Sequence, residues 1–281
     1  MTTLRSIVQR EAGQAMGPIV RLVDPHGLGE RLKPFVFLDF FDAEIKPGFG
    51  FGMHPHSGIA TLTWQPGSDV AYQDTTGQDG VLRAGGLEWM SAGGGAWHRG
   101  QLLGRGRATG FQLWVAMPPV IEDNEAFGQY VPPEQVPRMA VPGGELLVLL
   151  GEMSALGFRS ASPIESHQRM NYFVVSLDGD ATWQFSPPED HDVAWAFVFY
   201  GDAKVQGQAV SRELIVLDAE GDIHIAADGG AVRVLVGTAA KHNYPLVLGP
   251  SSVHTQRASL QAGHQRIQAI GSRLRNSQRT R

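Results

Sequence analysis

The chain contains 281 residues, 42% of them apolar, and has a formal net charge of −5 at neutral pH. This size and apolar content are enough for one or two domains with buried cores, and the acidic balance gives no general reason to expect nucleic-acid or membrane binding. Cysteine is absent, which excludes disulfides, thiolate catalysis, cysteine-ligated zinc and iron–sulfur clusters.

The distribution of turn-forming residues predicts an all-β protein. Thirty-five glycines and seventeen prolines interrupt short apolar runs, which is typical of many strands joined by turns. In the first half, strands are predicted at residues 4–9, 19–23, 34–42, 59–64, 70–74, 80–83, 87–91, 97–103 and 109–117, with a turn at 25–29. In the second half, strands are predicted at residues 145–150, 172–177, 182–185, 194–200, 213–217, 223–226 and 232–236. Antiparallel strands with such short connections can close into small barrels that hold one ligand.

Two further segments set the predicted domain organisation. Residues 118–142 contain six prolines and no clear periodicity, so we predict a surface linker between an N-terminal domain, residues 1–130, and a C-terminal domain, residues 131–281. Apolar residues recur at helical spacing from Leu260 to Leu274, which predicts an amphipathic helix over residues 256–275. The arginines of this tail are Arg257, Arg266, Arg273, Arg275, Arg279 and Arg281. They either attract an acidic partner or form the solvated end of a helix.

Histidines in two glycine-rich stretches form the strongest chemical pattern. His54 and His56 are two residues apart, so on a strand both imidazoles leave the same face. His98 follows a run of three glycines, and a glycine turn can bring backbone close to a pocket. Neutral imidazole is a common metal ligand in proteins. The three residues are therefore candidate ligands of one divalent metal ion.

Two carboxylates near this pattern each have two interpretations. Asp39 lies in a nearly continuous apolar strand, where a carboxylate that accepts backbone hydrogen bonds is favoured over a catalytic acid. Glu88 lies between Leu87 and Trp89 and therefore faces the opposite side of their strand. We interpret Glu88 as a structural or surface residue in preference to a replacement metal ligand.

Four sequence segments resemble the pirin family in order and spacing. They are LKPFVFLDFFD, GFGFGMHPHSGIATLTW, QDTTGQDGVLRAGGLEWMSAGGGAWH and GFQLWVAMPP, covering roughly residues 34–119. The resemblance implies two cupin-type β-barrel domains (a bicupin), of which only the N-terminal one holds a metal, usually iron. It also implies that His54, His56 and His98 are three of the metal ligands. Some members of the family show quercetin 2,3-dioxygenase activity, and others act as regulators through protein partners.

The chain departs from the family at the fourth ligand. The family has a glutamate two residues after the third histidine, where this chain has Gly100. The resemblance implies that this glutamate also takes the proton from the substrate hydroxyl. Three histidines with open coordination positions can still bind a divalent metal. Because the glutamate is missing, we expect weaker or altered metal binding and poor quercetinase activity. Arg99, Arg105 and Arg107 surround the gap, and either an anionic ligand near them supplies the missing charge or they belong to a solvated loop.

Two functions follow from these observations. The first is a metal-dependent dioxygenase in which His54, His56 and His98 hold Fe(II) or another divalent ion and act on a flavonol-like or other small aromatic substrate. The second is a non-enzymatic regulatory or ligand-binding bicupin with a degenerate site, where the metal is weakly bound or absent. A small-molecule ligand is expected in both and a protein partner in the second, without direct binding to nucleic acid or membrane. The sequence has no apolar run of membrane-spanning length and no signal-peptide pattern, so we expect a cytoplasmic location.

Overall fold

The protein forms two compact units, and each unit contains the terminal segment that lies next to the other unit in the sequence. In the computed structural model, which describes residues 3–46, 48–155 and 157–279, residues 15–133 and 242–281 form one unit, and residues 1–14 and 134–241 form the other. We call the first the histidine unit, because it contains His54, His56 and His98. We call the second the apolar unit, because its interior is a continuous apolar core.

Strands dominate both units, as predicted. In chain order the first elements are β1 (Ile7–Glu11), β2 (Gln14–Met16), β3 (Ile19–Val23), α1 (Leu28–Leu32), β4 (Phe35–Ile45), β5 (Gly50–His56), β6 (Ile59–Trp64), β7 (Val70–Asp74), β8 (Asp79–Leu82), β9 (Leu87–Ser91), β10 (Ala96–Leu102), β11 (Gly106–Ala116) and β12 (Phe127–Val131). After a 3-10 turn at Pro133–Gln135 follow β13 (Arg138–Val141), β14 (Gly144–Leu150), β15 (Glu152–Ala155), β16 (Phe158–Ala161), β17 (Met170–Leu177), β18 (Thr182–Phe185), β19 (Val193–Tyr200), β20 (Ala203–Val205), β21 (Gln208–Val210), β22 (Leu214–Leu217), β23 (Ile223–Ala227), β24 (Val232–Ala239), β25 (Val247–Gly249), β26 (Ser252–His254) and α2 (Arg257–Arg279). The turn predicted at 25–29 is observed at residues 25–27, and its last two residues belong to α1 instead.

The histidine unit consists of a large and a small antiparallel sheet. The large sheet has the strand order β12-β9-β6-β11-β4-β3-β2, and the small sheet has the order β5-β10-β7-β8. In the central strands β6 and β11, buried Leu62 and Leu113 pair directly, and Thr63 pairs with Gln112 on the opposite face. Thr63 and Gln112 line a cavity whose other walls come from the small sheet. The alternation of residues along the strands thus adds polar side chains to the cavity face of the large sheet.

The apolar unit repeats the arrangement of a large and a small sheet. Its sheets have the orders β1-β22-β19-β24-β17-β14-β13 and β18-β23-β20-β21, and β15 pairs with β16. Buried side chains such as Phe173, Trp183 and Val198 form one core cluster, and each contributes about 1.5–3 kcal/mol by leaving water. Among the described residues of this unit, no group of histidines and carboxylates has the spacing of a metal site.

The linker predicted at residues 118–142 is wrong, because this segment contains two strands. β12 pairs with β9 in the histidine unit, and β13 pairs with β14 in the apolar unit. Both are the outermost strands of their large sheets, and Pro132, Pro133 and Pro137 lie between them. Edge strands tolerate nearby prolines because one of their sides needs no ladder hydrogen bonds. The prolines of this segment therefore led to the prediction of a linker where the chain forms two edge strands.

The division predicted between residues 1–130 and 131–281 differs from the observed units at both termini. β1 pairs with β22, and the Arg5 guanidinium donates a 2.9 Å hydrogen bond to the Gly221 carbonyl, so the N-terminal strand belongs to the apolar unit. At the other end, the Trp97 indole donates a 2.8 Å hydrogen bond to the Ile267 carbonyl of α2, so the helix belongs to the histidine unit. Neither partner can be found from local sequence, because each pairing joins residues far apart in the chain.

The predicted C-terminal helix is confirmed and extends a turn further than expected. α2 covers Arg257–Arg279 instead of residues 256–275. Arg266 donates a hydrogen bond of 3.1 Å to the Asp123 carbonyl, so this arginine contacts the protein itself. Arg281 lies outside the described residues. In the described part of the chain, no helix has the length and apolar character needed to cross a membrane.

Gly58 joins the segment after β5 to the hairpin of β25 and β26, and its substitution tests this junction. Its φ is +76°, and a Cβ there would lie 2.1 Å from the Val253 carbonyl oxygen. We predict that Gly58→Ala lowers the free energy of unfolding by clearly more than the ~1–2 kcal/mol that left-handed backbone costs a non-glycine residue. Gly77→Ala is the matched control, because Gly77 has a φ of +94° and open space around it. Equal losses for the two variants in denaturant titrations would contradict the close contact.

Candidate metal centre

Strands β5 and β10 bring the three candidate histidines together. The antiparallel register places His98 opposite His54 and Ala96 opposite His56. The ring centroids of His54 and His98 are 4.5 Å apart, those of His56 and His98 are 5.1 Å apart, and those of His54 and His56 are 5.0 Å apart. One nitrogen of each ring lies within 4.8 Å of the corresponding nitrogens of the other two. The sequence-based grouping of these residues thus corresponds to a real spatial cluster.

Each imidazole is anchored through its Nδ1 atom. His54 Nδ1 donates to the Gly52 carbonyl at 2.7 Å, and His56 Nδ1 donates to the Ser251 carbonyl at 2.9 Å. His98 Nδ1 lies 3.0 Å from Oε1 of Glu88. With Nδ1 carrying the proton, Nε2 is the free lone pair of each ring. His98 Nε2 is buried and has no hydrogen-bond partner among the described residues, which is the expected condition of a ligand atom before an ion binds.

Burial keeps two of these rings neutral. Loss of solvent lowers the pKa of His54, and the nearby His98 lowers it further. Burial lowers the pKa of His56 well below its ordinary value, again assisted by the neighbouring imidazoles. Only neutral imidazole binds a metal, so the environment holds these side chains in the form that coordination requires. Three converging imidazoles fit a divalent first-row ion by donor type and number.

Gly100 lies on the cavity side of β10, where a glutamate would stand beside His98. It is two residues after His98 and pairs with Tyr72 of β7. A Cβ at this position would meet only Val70 Cγ1, at 3.4 Å, so the backbone leaves space for a side chain. Among the described residues, the cluster with metal-like spacing contains the three histidines and no carboxylate. The departure seen in the sequence is therefore a real gap in the donor set.

The histidines face a cavity of about 240 Å³ between the two sheets. Its aromatic wall includes Phe37 and Trp114, whose rings stack at 4.1 Å between centroids. The Trp114 ring also lies 5.0 Å from the His56 ring, so the aromatic wall reaches the candidate centre. Thr63 and Gln112 add a polar strip, and the Thr63 hydroxyl donates to the Gln112 side chain at 2.9 Å. Such a cavity suits a flat ligand with a few polar groups.

Asp39 lines the same cavity, and its partner differs from the one expected. It accepts two hydrogen bonds from the Arg21 guanidinium, at 2.7 and 3.0 Å, instead of bonds from the backbone. Arg21 also lies 4.2 Å above the Phe37 ring. Burial raises the pKa of Asp39, and the bonds from Arg21 oppose this shift. The structural interpretation of Asp39 is kept, but the compensating group is a cation on the neighbouring strand β3.

Glu88 is a cavity residue and not a surface residue. Only 3% of it is exposed, and it faces the cavity, whereas Leu87 and Trp89 are fully buried on the other side of β9. It contacts the candidate centre through Nδ1 of His98 and does not belong to the cluster of candidate ligand atoms. Ser251, which anchors His56, has no signal in the sequence, because its contribution is a backbone carbonyl from a distant hairpin.

Comparisons with known proteins agree with this fold. The family pattern described as Pirin matches residues 17–115. A pirin-like protein of Caulobacter vibrioides is 30% identical over 235 residues, which is 82% of this chain and 84% of the relative. A Pseudomonas aeruginosa protein provisionally named quercetin 2,3-dioxygenase is 29% identical over 280 residues, which is 93% of this chain and 96% of the relative.

Solved structures give the same fold. A crystal structure named quercetin 2,3-dioxygenase, from Acinetobacter baumannii, superposes with a TM-score of 0.85 at 22% identity and covers 98% of both chains. A bacterial pirin from Escherichia coli in complex with nickel(II) superposes with a TM-score of 0.63 at 23% identity, over 86% of this chain and 100% of that one. The expected bicupin fold, with two β-barrel domains and a C-terminal helix, is thereby confirmed. The chain belongs to the pirin family.

Proposed function

We propose that this protein is a metal-dependent dioxygenase that acts on a small, flat aromatic substrate of the flavonol type. The observation that supports this proposal is the position of the three imidazoles at an aromatic-lined cavity. His54, His56 and His98 would hold the ion, for which Fe(II) is our first choice. A divalent ion held by three imidazoles supplies Lewis acidity and the capacity to activate O₂.

The residues of the chain would bind and orient the substrate. Phe37 and Trp114 form a stacked aromatic wall beside His56, against which a planar ring can lie. Thr63 and Gln112 offer polar contacts that would set the orientation of the ring in the cavity. These contacts determine which face of a substrate meets the histidines.

Gly100 affects how the substrate loses its proton. Without a carboxylate at this position, no side chain on β10 next to His98 can accept the proton of a substrate hydroxyl. A substrate whose hydroxyl is already ionised at neutral pH needs no such base. We therefore expect more acidic phenols or enols to react better than weakly acidic ones.

Gly100 also favours the second function, that of a regulatory or ligand-binding bicupin with a degenerate site. Metal analysis of the purified protein, followed by O₂ consumption with quercetin and added Fe, Ni, Cu or Mn, separates the two functions. Metal-dependent turnover supports the dioxygenase. Full metal occupancy without turnover of quercetin or more acidic phenols would favour the non-enzymatic function. In that function, a protein partner would distinguish the ligand-bound form of this protein from the free form.

Removal of one imidazole should abolish the metal site. We predict that His56→Ala lowers metal affinity by at least about 100-fold and eliminates metal-dependent turnover, because two histidines leave the ion underligated. His26→Ala is the matched control, since His26 is exposed and lies outside the cavity. Metal content after dialysis and O₂ consumption are the measurements. Retention of the metal by His56→Ala would contradict the assignment of the ligands.

Restoring the acid at position 100 should strengthen metal binding. Gly100→Glu places a carboxylate on the cavity side of β10 in space that is open to a side chain. We predict a rise in metal affinity of about 10-fold or more, measured by competition with a chelator. Gly230→Glu is a suitable control, because the position is also open but lies outside the cavity lining. An affinity unchanged by Gly100→Glu would count against the importance of the gap.

The protonation of His56 can be measured directly. In the metal-free protein we expect its ring to remain neutral between pH 7.5 and 6.5, although an ordinary histidine has a pKa of 6.5. Because the unfolded chain takes up a proton on this ring below its ordinary pKa and the folded chain does not, the stability due to His56 is complete above pH 6.5 and declines as the pH falls. NMR titration of the ring protons tests this. Half-protonation at pH 6.5 would refute the effect of burial.

A further inference from the structure

Among the described residues that line the cavity, Glu88 is the carboxylate that contacts a candidate ligand. The strand register places it opposite Thr63 of β6 and opposite Tyr130 of β12. Its side chain enters the cavity, and Oε1 lies 3.0 Å from His98 Nδ1. Both residues are buried, with 3% of Glu88 and 5% of His98 exposed. The contact therefore lies in a region of low dielectric constant, where a carboxylate acts strongly on its partner.

A second buried carboxylate, Asp74, lies opposite His98 on β7, but both of its oxygens accept hydrogen bonds from other residues. Its Oδ1 accepts hydrogen bonds from the Thr76 backbone, the Thr76 hydroxyl and the Gln78 backbone, at 2.7, 2.7 and 3.2 Å. Its Oδ2 accepts a bond of 2.9 Å from the Tyr130 hydroxyl. Asp74 therefore stabilises the loop after β7, and it does not belong to the cluster of candidate ligand atoms.

Glu88 has a different set of contacts. Within the described residues, His98 is the partner with which it forms a hydrogen bond, and no arginine or lysine forms a salt bridge with it. A buried carboxylate without a permanent cation is costly, and a structural role alone does not offset that cost. A divalent ion bound by three neutral imidazoles is also costly in a cavity without counter-charge. Each of these charges would compensate the other.

We propose that Glu88 is a positioning residue of the metal centre, which supplies through His98 the negative charge that the chain lacks at Gly100. This proposal rests on the metal-binding part of the proposed function. The carboxylate fixes the proton of His98 on Nδ1, directs Nε2 toward the histidine cluster and makes Nε2 a stronger donor.

The first test is the metal affinity of Glu88→Gln, measured by chelator competition with Co(II) and Zn(II). Glutamine keeps the shape and can still accept the proton of His98, so the substitution removes mainly the charge. The expected result is an affinity 10- to 100-fold lower, with a shifted visible spectrum of the Co(II)-loaded protein. Asp79→Asn is the control, because it removes an exposed carboxylate from β8 of the small sheet. An affinity within twofold of the unchanged protein, or an equal loss in the control, would overturn the proposal.

The second test is rescue from the position of the missing ligand. If the two carboxylates serve the same need for charge, Gly100→Glu should restore most of the affinity lost in Glu88→Gln, and its benefit should be smaller when Glu88 is present. A strictly additive pair would overturn the shared role. If Glu88→Gln does not fold, as judged by thermal unfolding of the metal-free protein, Glu88→Asp takes its place. Aspartate keeps the charge but is one methylene shorter and should lose the hydrogen bond to His98 Nδ1, so an unchanged affinity would again overturn a role that acts through His98.

These outcomes separate Glu88 from the proposed function. If the unchanged protein binds Co(II) and Zn(II) but does not consume O₂ with any metal, the dioxygenase proposal fails and the affinity measurements still decide the role of Glu88. If turnover is observed and Glu88→Gln binds metal normally, only the role of Glu88 fails. If the unchanged protein binds no divalent metal, both proposals are overturned.

Discussion

The candidate centre depends on three hydrogen bonds that hold three imidazoles by the nitrogen facing away from their common point. The acceptors are the Gly52 carbonyl, the Ser251 carbonyl and the Glu88 carboxylate. Each bond fixes both the ring orientation and the position of the proton, so the lone pairs of Nε2 point toward a common position. Burial then disfavours protonation of His54 and His56. The cluster is consequently organised before any ligand arrives, and that preorganisation reduces the cost of binding.

The part of this centre that follows local rules could be predicted from sequence. His54 and His56 share a face because side chains alternate along a strand. The glycine-rich stretch before His98 and the family resemblance predict that His98 joins them. The anchors could not be predicted, since they depend on which strands become neighbours. Glu88 faces the cavity because β9 lies beside β6 in the large sheet. Arg21 and Asp39 are eighteen residues apart in the chain, and they meet because β3 pairs with β4.

The same distinction explains the fold. Strands with clear apolar content, such as β7, β9 and β18, were predicted with their observed bounds. β12 and β13 were missed because edge strands carry weaker patterns and tolerate adjacent prolines. The assignment of the termini to the two units also required long-range contacts, namely the pairing of β1 with β22 and the bond from Trp97 to α2. The hydrophobic periodicity of a segment can predict a single strand or helix. The unit to which that strand or helix belongs depends on the elements that it contacts.

The Ser251 carbonyl has a consequence for biosynthesis. It stands 195 positions after His56 in the chain, and nearly the whole apolar unit is encoded between them. At translation rates of about 5–20 residues per second, the ribosome needs roughly 10–40 s to pass from one to the other. During that interval the nascent histidine pair has emerged without its anchor. Complete anchoring of the histidine cluster is therefore tied to completion of the polypeptide, and a product terminated upstream of the hairpin would lack the carbonyl that accepts the hydrogen bond of His56.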